Sequence, residues 1–186
     1  MDKTDTIDAK ATILVLVDYQ ARLMPAIQDA AAVTAQGVLL ARAAHALDIP
    51  VIGTEQNPAG LGPNVEAIRA ECDATLAKMH FDACADGLLE ALRHAKPDAR
   101  QVVIAGCEAH VCLLQTALGL LREGWRVWVV ASASGSRRPA DHATAMARLA
   151  EAGATIVSPE MVVFEWLGGC EHTRFKDVLA IVKAAA

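Results

Sequence analysis

The chain has 186 residues, 54% of them hydrophobic and 21% charged. That is enough apolar material for one core without disulfides or metal, and it excludes a largely disordered protein. The formal net charge of −5, with no basic stripe, argues against nucleic acid as a partner.

From the N-terminus, MDKTDTIDAK is polar and acidic, unlike a signal peptide, and residues 1–10 are expected to form a flexible lead into a single domain spanning 1–186. ATILVLVD (11–18) reads as a buried strand ending at an acid, too short to cross a bilayer. Residues 32–47 carry apolar side chains at helical spacing, and Pro50 separates them from a second strand, VIGTE (51–55). QNPAGLGPN (56–64) reads as a long Gly/Pro loop, followed by a short helix near 65–69. ATLAKM (74–79) is a third strand and GLLEALRHA (87–95) a helix. QVVIAG (101–106) and RVWVVA (126–131) are strands flanking a helix that begins near Val111. Residues 139–152 read as a helix, ATIVS (154–158) as a sixth strand, and FKDVLAIVKA as a closing helix.

Near-continuously apolar strands alternating with helices predict a single-domain three-layer α/β/α fold with a mostly parallel six-stranded sheet. Ligands of such sheets sit beyond the carboxyl ends of the strands. Three misfits fall there: Asp18 after the first strand, Lys78 in the third, and the turn GCEAHVC after the fourth. A buried carboxylate needs a partner, and so does a buried ammonium. Taken alone, Asp18 fits a structural cap and Lys78 a snorkelling surface residue, but together each answers the other's burial. Cys112 taken alone fits an inert buried thiol. At a helix N-terminus beside a lysine its pKa is instead expected to fall, with a nearby carboxylate to take its proton. The five cysteines (72, 84, 107, 112, 170) contain no CxxC pair and fit free thiols in a reducing cytoplasm.

LVLVDYQ at 14–20, the segment from Lys78 to Phe81 and GCEAHVCLLQTALGLL at 106–121 resemble the three signatures of the isochorismatase-like cysteine hydrolases. SRRPADHATAMARLAEAGATIVSPEMVVFEWLG (136–168) is similar to a later stretch of the same family, so the resemblance runs from about 11 to 180. It implies the family's Rossmann-like fold, with Asp18 as general base, Cys112 as nucleophile and Lys78 stabilising its charge. It also implies a cis peptide between Cys107 and Glu108, turning the backbone N–H groups of Glu108 and Cys112 toward an oxyanion. Gln20, Gln56, Tyr19 and Phe81 are candidates for substrate binding, with core packing the plainer role for the two aromatics.

The same resemblance implies no cofactor and no metal. Relatives that bind a metal do so through Asp and His after the second strand, where TEQNPAGLGPN has neither; His80 and His110 are read as polar or supporting residues. Ser132, Asp82 and Cys84 depart from the family's usual residues near the pocket and leave the substrate open. The expected function is hydrolysis of an amide, ester or similar bond of a small molecule, in a cytoplasmic homo-oligomer. A nucleotide-binding oxidoreductase is the alternative, weakened because DYQARLMPA carries no GxGxxG after the first strand. A catalytically silent binding member of the fold is the third reading.

Overall fold

The computed structural model describes residues 6–184. The six apolar runs become the strands of one sheet: β1 (Thr12–Val17), β2 (Val51–Gln56), β3 (Ala74–Lys78), β4 (Gln101–Gly106), β5 (Arg126–Val130) and β6 (Thr155–Val157). Their order is β3-β2-β1-β4-β5-β6 and every pairing is parallel, so the sheet is wholly rather than mostly parallel. The helices are α1 (Ala30–Ala46), α2 (Pro58–Leu61), α3 (Glu66–Arg69), α4 (Leu88–Ala95), α5 (Leu114–Arg122), α6 (Pro139–Glu151), α7 (Pro159–Leu167) and α8 (Phe175–Ala184).

The period of two along each strand sorts the core into two layers. Leu14 and Leu16 of β1 and Val103 and Ala105 of β4 pack with α1, α7 and α8. Ile13, Val15 and Val17, with Val102 and Ile104, pack with α4, α5 and α6. Both faces of the central strands are therefore dry. β1 and β4 lie at the middle of the sheet, with β2 and β3 beyond β1, so their carboxyl ends present one continuous ledge.

Three local features differ from the sequence reading. The loop 56–64 contains the single turn α2, because Asn57 adopts φ 39° and its carbonyl accepts the N–H groups of Gly60 and Leu61. Helix α7 had no prediction, its apolar run lacking a clear helical stripe; Ser158 caps it by accepting from the Met161 N–H at 3.3 Å, with Pro159 in the first turn. Within the expected flexible lead, residues 1–5 lie outside the described residues. Ile7 is buried and its N–H donates to Glu165 at 2.8 Å.

Gly106 closes β4 with φ 144°, where an added Cβ would stand 2.1 Å from the Val17 carbonyl oxygen. Gly106→Ala is expected to destabilise the chain by about 3 kcal/mol, combining a disfavoured backbone angle with a backbone clash. Urea unfolding checks it; an unchanged midpoint would contradict the packing described at β1 and β4.

Candidate active site

Asp18 follows β1 in the left-handed region, φ 51°, with its N–H donating to the Thr54 carbonyl at 3.2 Å. One carboxylate oxygen accepts the Thr54 hydroxyl at 2.6 Å and the other accepts the Lys78 ammonium at 2.7 Å. Both side chains of this ion pair are 0% exposed. Lys78 reaches Asp18 because β2 and β3 pair Gln56 with Lys78, aligning the strand ends. The ammonium also donates to Gln56 Oε1 at 2.7 Å and to the His80 carbonyl at 3.4 Å. An ammonium has three N–H donors, and each has an acceptor here.

Cys112 comes from the turn after β4. The Cys107–Glu108 peptide is cis, and a π turn (Ala109–Leu113) leads into α5. Its wide pitch shows in the Leu113 N–H, which donates to the Glu108 carbonyl at 3.3 Å. Such turns occur often at functional sites. The sulfur is 6% exposed by residue and lies 3.9 Å from Gln56 Oε1.

The expected lowering of this thiol's pKa is overturned. Burial first, and the Asp18 charge second, push the Cys112 thiol up to about 12, against a lesser opposing pull from Lys78. The physical reason is that Cys112 is the fourth residue of the π turn rather than its first, and the lysine is already paired with Asp18. The resting sulfur therefore carries its proton. The Asp18 carboxylate is the anionic group that acts most strongly on it.

The remaining residues divide sharply. Gln56 faces both Lys78 and Cys112, and its Nε2 donates to the Met79 carbonyl at 2.7 Å. Gln20 is fully buried; its amide donates to the Gln56 and Gly62 carbonyls and accepts the Gln56 N–H, so it clamps the end of β2. Tyr19 is buried in the layer of α1, its hydroxyl donating to the Ala133 carbonyl. Phe81 is half exposed, and its carbonyl accepts from Thr116. Asp82 caps the turn at Cys84 and pairs with Arg122 at 2.7 Å, while the Cys84 thiol points at the Thr116 carbonyl. Ser132 is exposed, lining a cavity of about 350 Å³ with Asp29 and His142. His80 pairs with Asp86, and His110 with Ser136. Among the described residues no three His, Cys, Asp or Glu side chains come together as a metal ion would require.

Two contributions were missed in the sequence, the Thr54 hydroxyl and the Glu108 carboxylate. Thr54 could have been found from the alternation of VIGTEQ, which puts Thr54 and Gln56 on one face at the strand end. Glu108 has a use for its carboxylate as well: it accepts the Arg137 backbone N–H at 2.9 Å and its Nε at 3.1 Å. This ties the loop after β5 to the turn after β4, as does the Ala109 N–H, which donates to the Gly135 carbonyl at 2.7 Å. No short-range signal links residues 29 apart.

Residues 12–161 match the family model of the isochorismatase domain. Isochorismatase domain-containing protein 1 of Salmo salar is 36% identical over 179 residues, covering 94% of this chain; the chain spans only 62% of that protein's length. Among solved structures, the MAR1 ribonuclease of Caenorhabditis elegans is 30% identical with a TM-score of 0.90, covering 96% of this chain and 93% of that one. The ycaC gene product of Escherichia coli, described as an octameric hydrolase of unknown specificity, shares the fold at TM-score 0.87 and 24% identity, covering 100% of this chain and 91% of that one.

Proposed function

The chain belongs to the isochorismatase family of hydrolases, and from that premise we propose that it hydrolyses a C–N amide bond, or a related ester bond, of a small molecule through a covalent cysteine intermediate. The observation that carries this reading is the buried Asp18–Lys78 pair set beside the Cys112 thiol on the turn after β4, with Gln56 Oε1 touching both Lys78 and the sulfur.

Asp18 takes the thiol proton as Sγ attacks the substrate carbonyl carbon, forming the C–S bond and placing the electron pair on oxygen. Lys78 offsets the negative charge that passes between sulfur and Asp18. Backbone N–H groups of Glu108 and Cys112 receive the oxyanion. Collapse breaks the C–N bond, and Asp18 gives its proton to the leaving amine. Water, deprotonated by Asp18, then attacks the thioester; the C–S bond breaks and the proton returns to sulfur. The acid product leaves.

The burial of all three residues favours a small substrate. The worm relative is called a ribonuclease, but a net charge of −5 opposes a polyanion here. Met79, Phe81, Met161 and Phe164 are exposed large apolar side chains, which supports assembly into a homo-oligomer. No helix among the described residues is long and apolar enough to cross a membrane.

The test is a screen of small amides, ureas and esters, with RNA as a separate arm. Turnover of a small acyl compound is expected. Cleavage of RNA without turnover of any acyl compound would replace this reading.

A further inference from the structure

We infer that Gln56 is a positioning residue whose amide oxygen holds the Lys78 ammonium and the Cys112 S–H together, keeping the sulfur protonated until substrate arrives. This inference rests on the assignment of Cys112 as nucleophile and adds a control on its reactivity.

The orientation of the Gln56 amide is fixed by its partners. Lys78 can only donate, so the atom 2.7 Å from its nitrogen is Oε1; the Met79 carbonyl can only accept, so the atom 2.7 Å from it is Nε2. The backbone is held as firmly. Gln20 accepts the Gln56 N–H at 2.8 Å and donates to its carbonyl at 3.0 Å. The side chain is 8% exposed. It is a rigid neutral acceptor between a cation and a thiol.

Two consequences follow for sulfur. In the resting protein the S–H donates to Oε1 at 3.9 Å, a contact that suits the thiol and turns repulsive once the proton leaves. The same oxygen also takes one Lys78 N–H, the other two going to Asp18 and His80. Both effects favour the protonated form. Of the titratable groups around the sulfur, Asp18, Lys78 and Cys107 act on or with it. Glu108 is turned to Arg137, His80 to Asp86 and His110 to Ser136. Gln56 is the neutral member of this set.

The experiment is alkylation by iodoacetamide at pH 8.5, followed at the Cys112 peptide by mass spectrometry. It needs no substrate. Cys170 is an exposed free thiol, so the full chain carries Cys170→Ser throughout. Gln56→Leu removes the acceptor and frees a Lys78 N–H for sulfur; Gln56→Glu adds a negative charge beside it. Each change is expected to move the thiol by about one pKa unit, in opposite directions. A more acidic thiolate is also a weaker nucleophile, which reduces the tenfold change in thiolate to about threefold in rate. Leu should alkylate about threefold faster than the parent and Glu about threefold slower. Loosened packing would instead speed both variants, and a purely structural or substrate-contact role would leave both unchanged; either result overturns the inference. Failure of the hydrolase reading would appear separately, as an absence of turnover in the parent chain.

Discussion

Cys112→Ala is expected to lower hydrolytic turnover by at least about 1,000-fold while leaving the chain folded. The alanine keeps the Cβ and removes only a sulfur from a site beside polar groups, so the stability change should stay within about 1 kcal/mol. Circular dichroism and urea unfolding check the second part. Residual activity in such variants comes from binding and oxyanion contacts, so loss should fall on kcat more than on KM. Asp18 and Lys78 pair at 2.7 Å through atoms that the substitution does not touch, which is why the fold should not register the change.

Lys78→Met is expected to cost both activity and stability. The pair it breaks has no exposed side-chain surface on either partner. Removing one member of a buried pair typically destabilises by 3–5 kcal/mol, because the other charge stays buried without compensation; about 4 kcal/mol is expected here. For a chain of this size that corresponds to a fall of roughly 8–16 °C in Tm. Thr54 still faces the Asp18 carboxylate, at 2.6 Å, but brings no positive charge. The deficit lies in the charge left unpaired at position 18. Adding Asp18→Asn should recover part of the loss for the same reason, while activity stays absent. A Lys78→Met chain as stable as the parent at pH 7, or an Asp18→Asn change that further destabilises it, would contradict the description of the pair.

The strands and most helices were legible because their signals are local. Near-continuously apolar runs ended at Gly106, Asp18 and Lys78, and Pro50, Pro139 and Gly153 punctuated them. The three chemical residues were visible as misfits, polar groups in or just after dry strands, and the strand order brings those ends side by side. What stayed hidden was second-hand. Thr54 looks ordinary in sequence, and Gln20 and Gln56, read there as candidates for substrate contact, form hydrogen bonds that the parallel register creates. The contact between Arg137 and Glu108 has no signal in the sequence, because the two lie 29 residues apart. The state of the Cys112 thiol was misjudged because helix position is readable in a sequence, whereas depth of burial and the prior engagement of Lys78 are not.

The central claim is that Cys112 sulfur carries the acyl group during turnover. It is tested most directly by acid-quenching the chain in the steady state with an amide or ester it hydrolyses, then mapping adducts by peptide mass spectrometry. A mass increase equal to the acyl group on the Cys112 peptide, absent from Cys112→Ala, is the predicted result. An acyl adduct on another residue, or turnover that persists in Cys112→Ala, would contradict it.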